Sequence, residues 1–316
     1  MSNQLRHLLQ TWMPLLVLAA TVLAVGLYDH TFFSVSNFLS VTADTMTLFL
    51  MAAGVTLVIM MGGIDLSIQA VASMTSCILA AYLPQFGVLA IAFAVLGGML
   101  AGFAGGLLST WLRIPSFIAT LAVSGVVLSA GYWFTSAKSV NIAADLSASY
   151  LSWANGEFLG VPNEIWIGLA FLAVLSVLLA LTPFGRIVRG IGAQERAVLA
   201  SGINVNLYKV AAYTLSGTMA GVAGVVMAAR LGSGSPTLAN EFLLPAIACI
   251  VVGGTAITGG VGSVWRTFVG ALIVQVVRIG MTFVGVSVFA QQIVFGFILV
   301  AAVAITMDRS KVLVVK

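Results

Sequence analysis

The sequence predicts an all-α protein, a polytopic transmembrane helical bundle of about ten spans with its N-terminus and C-terminus on the cytoplasmic side. Three observations predict it. First, 316 residues carry only 13 Lys/Arg and 9 Asp/Glu, against 61% apolar residues and 33 glycines. Soluble domains use roughly 25% charged and roughly 45–50% apolar residues, so these charges cannot cover a soluble surface of this size. Disorder, which needs low hydrophobicity and high net charge, is excluded too. Second, uncharged runs of bilayer length recur along the chain. Third, the basic residues between those runs fall almost entirely on one side.

The runs Leu8–Tyr28, Thr45–Ile64, Leu66–Leu112, Ile114–Ala137, Ile165–Gly185, Val210–Ala229, Phe242–Trp265 and Ile279–Met307 contain no charged residue. About 20 apolar residues in a helix rising about 1.5 Å each cross the roughly 30 Å hydrocarbon core. A membrane barrel would instead show alternating segments of about ten residues. The spans are placed at 11–28, 44–62, 67–83, 88–112, 116–136, 163–182, 210–229, 242–258, 266–284 and 287–306. The first has Arg6 and His7 ahead of it but outruns the roughly 7–15 residue core of a secretory signal, so it reads as an uncleaved helix. The double-length run Leu66–Leu112 divides at the turn signal Pro84-Gln85-Phe86-Gly87.

With the N-terminus inside, Arg6, Arg113, Arg186, Arg189, Arg196, Lys209, Arg266, Arg309, Lys311 and Lys316 are cytoplasmic, Lys138 and Arg230 lie outside, and Arg278 falls within a span. Asp29, Asp145, Glu157, Glu164 and Glu241 face outside. The net charge of +4 is this positive-inside bias and needs no nucleic-acid partner. The chain is one transmembrane domain, 1–316, with a cytoplasmic loop at about 183–209 and a periplasmic loop at about 137–162.

Several chemistries are missing. No Gly-x-x-x-x-Gly-Lys-Ser/Thr phosphate loop, Gly-x-Ser-x-Gly elbow or His-Glu-x-x-His helix occurs. His7 and His30 sit at opposite ends of the first span, and Cys77 and Cys249 are too few for a disulfide framework or a four-ligand metal site. No catalytic or metal-ligating residue is assigned. Ionisable residues within spans usually mark ion pathways; Arg278 is the clear case, Asp65 sits at a break, and no carboxylate is expected at mid-span. That favours transport driven through a partner over ion coupling.

Three segments carry information. In Met61-Gly62-Gly63-Ile64-Asp65-Leu66-Ser67, the glycines end one helix, and Asp65 and Ser67 are expected to cap the next. Gly62, Gly63, Asp65 and Ser67 are gate or hinge candidates. In the basic loop, Gln194–Ile203 reads as a short docking helix, with Glu195 in its first turn and Gly202 at its stop. The Gly253–Ser263 segment holds five glycines in eleven residues, too many for a straight helix. Such backbone at membrane depth must be buried in protein or line a cavity, so Gly253, Gly254, Thr255, Gly259, Gly260 and Gly262 join the hinge candidates. Gly98, Gly102 and Gly106, and Gly217 and Gly221, stand one turn apart and read as close helix packing.

At these segments the chain resembles the membrane permease subunits of bacterial ABC importers of the ribose/monosaccharide type. The likeness rests on Gly62–Ser67, Pro115-Ser116-Phe117-Ile118-Ala119-Thr120-Leu121, Gly185-Arg186 with Ser201-Gly202-Ile203, Ser216–Gly224, and Gly253-Gly254-Thr255 with Gly259–Ser263. It runs from about residue 35 to 306. Gln69, Arg266-Thr267 and Arg278-Ile279 depart from the family pattern.

The resemblance implies import of a monosaccharide or related polyol across the bacterial inner membrane. It implies a second permease subunit, identical or not, ABC ATPase subunits holding ATP and Mg, and a periplasmic sugar-binding protein; the chain itself holds no cofactor and is not an enzyme. Arg186, Glu195, Ala197, Ser201, Gly202 and Ile203 then form the ATPase-coupling loop. Asn141, Glu241 and Arg278, with Arg230, are candidate translocation-path residues. A branched-chain amino acid or nucleoside ABC permease, and an ion-coupled secondary transporter, stand as alternatives.

Overall fold

The computed structural model describes residues 3–306; both termini, with Arg309, Lys311 and Lys316, lie outside the described residues. Helix α1 (Asn3–Tyr28) leads through a 3-10 turn (His30–Phe33) to α2 (Val35–Met60), then α3 (Ile68–Phe86), α4 (Val88–Trp111) and α5 (Ser116–Thr135). The connection after α5 holds β1 (Val140–Asn141), α6 (Ala144–Leu146), a π-helical stretch (Ser147–Leu151), α7 (Ser152–Asn155), β2 (Glu157–Phe158) and β3 (Val161–Pro162). Next come α8 (Asn163–Leu181), α9 (Pro183–Ala200), α10 (Val205–Leu231), β4 (Ser233–Gly234), a 3-10 turn (Asn240–Phe242), α11 (Leu243–Val252), α12 (Val264–Phe283) and α13 (Val288–Thr306). The only strands among the described residues are two-residue antiparallel pairs, β1 with β4 and β2 with β3.

The bundle is all-α and polytopic. Helices α2, α4, α5, α8, α10 and α12 are long and apolar enough to cross a membrane, while Pro14–Tyr28 and Val288–Ala301 are shorter apolar stretches. The core centres on α2, where every residue from Thr45 to Met61 is buried. A helix buried along its whole length has protein on all faces; here α8, α10, α11 and α12 surround it. The Thr56 and Thr267 hydroxyls meet at 2.8 Å between α2 and α12, polar glue of the kind used between membrane helices. Large apolar side chains point outward on α4 (Leu89, Phe93, Leu96, Leu100), α5 (Leu121, Val126) and α13 (Phe289, Ile293, Phe297). They give the bundle an apolar outer surface.

Helix α4 lies against α10 through glycines. A Cβ on Gly98 would come within 2.6 Å of the Gly217 carbonyl oxygen and 2.9 Å of Gly221 Cα. One on Gly217 would lie 2.8 Å from Gly102 Cα. The two stripes expected from spacing are therefore one interface.

Two expectations change. The span placed at 242–258 is α11, ten residues long, or about 15 Å at the helical rise. That is about half the hydrocarbon core. Gly253 and Gly254 stop it at one end. At the other, the chain from β4 to the 3-10 turn is irregular and docks on α3, with Ser235 N–H donating to Ser76 Oγ (3.2 Å) and Ala239 N–H to Ser73 Oγ (3.0 Å). The basic loop 183–209 is mostly helix. The Thr182 hydroxyl accepts the Phe184 N–H (3.2 Å) and Pro183 opens α9, a favoured start. The short helix expected at 194–203 is the second limb of α9, beyond a kink at Gln194 (φ −161°, ψ 87°). The 66–112 run divides as expected within Pro84–Gly87, at Gly87 (φ +53°), with Pro84 inside the last turn of α3.

Candidate functional site

Gly62–Ser67 leaves the helical path between α2 and α3, so its backbone needs partners other than its own helix. Neighbouring helices supply them. The Ile64 N–H donates to Ser116 Oγ (3.0 Å) and the Leu66 N–H to Thr120 Oγ1 (3.1 Å), both at the start of α5. Asp65, 1% exposed, faces α10. Its Oδ1 accepts the Ser67 N–H (2.9 Å) and Ser67 hydroxyl (2.6 Å), and its Oδ2 accepts the Ser216 hydroxyl (2.7 Å). A carboxylate holding three donors stays satisfied without a cation. Ser67 does not cap α3 with its own side chain; its hydroxyl is spent on Asp65, which corrects the expected pair of caps.

The glycine-rich segment closes on the same place. Gly259 and Gly260 take positive φ (+86° and +82°), and the Gly260 N–H donates to the Met60 carbonyl at the end of α2 (2.9 Å). A Cβ on Gly259 would fall 2.8 Å from Gly62 N and 3.0 Å from Gly192 Cα. Gly192, in the first limb of α9, is the piece that sequence reasoning missed; nothing in the sequence sets it apart from Gly185 and Gly190 of the same helix. Gly253 packs on the Arg266 backbone, Gly262 against Met60 and Thr255, and Gly254 (φ +85°) points into open space. Thr255 is buried and its hydroxyl lacks a partner among the described residues. Gly62, Gly259, Gly260 and Gly262 thus meet at one junction at the end of α2, with Asp65 holding Ser67 and Ser216 beside it, while Gly253 packs between α11 and α12 instead.

The coupling candidates divide between two faces. Arg186, Ala197, Ser201 and Ile203 line a groove of about 450 Å³ along the kinked α9. Glu195 points the other way, into a cavity of about 580 Å³ with Gly62, Gly63, Arg113, Ser116 and Tyr213. There it pairs with Lys209 Nζ at 2.7 Å, tying the second limb of α9 to the first turn of α10. Gly202 (φ +80°) ends that limb, its N–H donating to the Leu199 carbonyl at 3.0 Å. Leu199 is 51% exposed, so the limb presents an apolar side chain outward from the basic end of the bundle.

The path candidates separate. Arg278 and Arg230 line a cavity of about 370 Å³ at the opposite end of the bundle. Glu241 sits beside it in the 3-10 turn, its backbone carbonyl accepting from Gln292 Nε2 at 3.0 Å. Asn141 is exposed and pairs with Ser233, away from this cavity. Two carboxylates lie near the starts of the expected spans 44–62 and 163–182, neither of them at mid-span. Asp44 lies inside α2 and pairs with Arg230 (Oδ1 to Nη1, 2.6 Å), whose Nε lies 4.0 Å from Glu164, a 5% exposed residue in the first turn of α8. Each carboxylate sits at the edge of an uncharged run, where it reads as an interfacial charge. No group of three or more His, Cys, Asp or Glu able to hold a metal occurs among the described residues.

Residues 37–303 match the family described as the permease component of the branched-chain amino acid transport system. The ribose import permease protein RbsC of Escherichia coli (strain K12) is 33% identical over 308 residues, 95% of this chain and 96% of that protein. The Bacillus subtilis (strain 168) protein of the same name is 35% identical over 301 residues, 94% and 92% of the two chains. The fructose import permease protein FrcC of Rhizobium meliloti is 29% identical over 317 residues, 96% and 88%.

Proposed function

The chain belongs to this family of transport-system permease components, and from that membership we propose that it is the membrane subunit of an ATP-driven importer of a monosaccharide or related polyol. Relatives matched over nearly their whole length carry the names of ribose and fructose import permeases, which favours a sugar over a branched-chain amino acid. In this reading the chain is one multi-pass domain of the bacterial inner membrane with both termini cytoplasmic. It crosses about ten times, with α11 and the irregular chain before it together making one crossing. A second permease subunit completes the pathway. Partner ATPases hold the ATP and Mg, and a periplasmic binding protein brings the sugar.

The observation that carries the reading is the contact of α9 with the junction. The exposed second limb of α9 is continuous with the limb holding Gly192, and Gly192 touches the backbones of both Met60 and Gly259–Gly260. An ATPase that seats Glu195–Ile203 and moves it therefore pushes on the ends of α2 and of the glycine-rich segment together. Asp65 and Ser216 pass that displacement to α10, which reaches the outer cavity through Arg230. Two discrete arrangements of these packed backbones are what alternating access requires.

The test is the ATPase rate of the reconstituted complex with its binding protein, measured across ribose, fructose, arabinose, leucine and a nucleoside. A monosaccharide is expected to stimulate hydrolysis, with leucine and the nucleoside at the unliganded rate. Stimulation by leucine alone would replace the sugar reading with the amino acid one.

A further inference from the structure

The cavity lined by Arg230 and Arg278 holds three polar groups without a hydrogen-bond partner among the described residues. It lies between α2 (Asp44), the end of α10 (Arg230), the 3-10 turn (Phe242), α12 (Gln275 and Arg278) and the start of α13 (Gln291). Gln275 and Gln291 are 4% and 1% exposed, and neither amide oxygen has a hydrogen-bond partner among the described residues. The orientation of Gln291 is set. Its amide nitrogen donates to Thr282 Oγ1 (3.1 Å) and to the Val286 carbonyl (3.3 Å), and a carbonyl can only accept. The oxygen left over is thus a true unpaired acceptor. The Arg278 guanidinium lies 5.0 Å over the Phe242 ring and, among the described residues, makes no ion pair and donates no hydrogen bond. Buried polar groups are ordinarily paired, and a specific exception calls for a missing partner.

The missing partner must supply hydrogens to two amide oxygens and lone pairs to a guanidinium. A hydroxyl does both, since it has one donor and two acceptor sites. An anion would answer Arg278 but leave both amide oxygens unpaired and would face Asp44. A cation would meet Arg278 with like charge. A neutral molecule with several hydroxyls offers both kinds of partner, and a cavity of about 370 Å³ falls at the lower end of the roughly 300–1,000 Å³ typical of small-ligand sites.

We propose that this cavity is a polyol-binding site within the permease, where Gln275 and Gln291 accept hydroxyl hydrogens and Arg278 donates to hydroxyl oxygens. It deepens the monosaccharide reading and rests on it. The site lies at the outer end of α12, on the path from a delivering protein to the Asp65 junction.

The test compares melting temperatures of the purified permease–ATPase complex, without binding protein, in ribose, fructose or arabinose. A disaccharide of equal osmolality serves as control for the general stabilisation that sugars give by exclusion from protein surfaces. At least one monosaccharide is expected to raise the melting temperature above the disaccharide value, as a ligand that binds only the folded state must. Gln275→Leu is expected to weaken that sugar's apparent affinity about tenfold, the loss of one hydrogen bond. Its sugar-free melting temperature should not fall, because an unpaired buried amide is replaced by a side chain of similar size. Gln291→Leu should lose the sugar response as well. A monosaccharide shift kept in full by both variants overturns the site, as does the absence of any such shift in the wild type. Uptake of radiolabelled sugar by the wild-type complex, run alongside, separates the two readings: uptake without a shift removes this site alone, while a shift without uptake removes the importer reading and keeps the site.

Discussion

Gly217→Leu is expected to abolish recovery of folded protein from the membrane. A Cβ at this position would lie 2.7 Å from Gly102 N and 2.8 Å from Gly102 Cα, and it would press on the Gly98 carbonyl as well. These are backbone atoms that no rotamer change can move. Overpacking a core usually costs about 1–3 kcal/mol because side chains give way; here α4 and α10 must separate along their length, and α10 also packs on α2 and α3. Gly217→Ala, which adds only the Cβ, should lower the melting temperature without eliminating the protein. Gly125 in α5 provides the control, because a Cβ there meets nothing within 4 Å. Gly125→Leu should match or slightly exceed wild-type stability, since Gly costs about 1 kcal/mol relative to good helix formers. Size-exclusion profiles of detergent extracts read all three. A monodisperse wild-type peak for Gly217→Leu would show that the two helices do not meet as described.

Gly202→Pro is expected to stop ATP-driven uptake while leaving the protein in the membrane at normal levels. Gly202 has φ +80° and its N–H holds the Leu199 carbonyl at 3.0 Å. Proline fixes φ near about −65° and has no N–H, so the stop of the second α9 limb is lost and Ser201 and Ile203 leave the groove. Gly202→Ala meets no steric obstacle and bears only the left-handed backbone penalty of roughly 1–2 kcal/mol; it should transport at a reduced rate. Glu195→Arg attacks the same limb from its other face by setting two cations against each other where Glu195 now holds Lys209 at 2.7 Å. Both Gly202→Pro and Glu195→Arg should lose coupling, read as sugar-stimulated ATP hydrolysis. Normal uptake by either would show that the limb is not where the ATPase acts.

The helices were legible because charge scarcity and run length are whole-segment signals that single residues do not disturb. The exception is 242–258. Its mean apolarity reads as a span, yet Gly253-Gly254 and the irregular chain before Leu243 leave a ten-residue helix. The local stop signal was present in the sequence and was outweighed by the average. The basic segment 183–209 erred in the opposite direction. Its charges suggested a loop, while Thr182-Pro183, a sound helix start, was the better guide to α9.

At the candidate site, the sequence shows which residues have special backbone needs but not which ones meet. Gly62, Asp65, Gly259 and Gly260 stand out as glycines and a lone acid in apolar surroundings. Nothing in their spacing says that Ser116, Thr120 and Ser216 supply their hydrogen bonds, or that Gly192 fits between them. The outer cavity was less legible still. Asp44, Glu164 and Arg230 come from α2, α8 and α10 and read singly as charges at the membrane surface. Gln275 and Gln291 are neutral, and their significance rests on amide oxygens that the fold leaves unpaired.

The central claim is that this membrane chain moves a sugar with energy drawn from a partner acting on α9. It is tested most directly by uptake of radiolabelled ribose, fructose and arabinose into proteoliposomes holding the permease with or without its ATPase, under imposed ATP or imposed proton and sodium gradients. The account predicts uptake of one of these sugars only when ATPase, ATP and binding protein are all present, and none from either gradient. Gradient-driven uptake by the permease alone would contradict it.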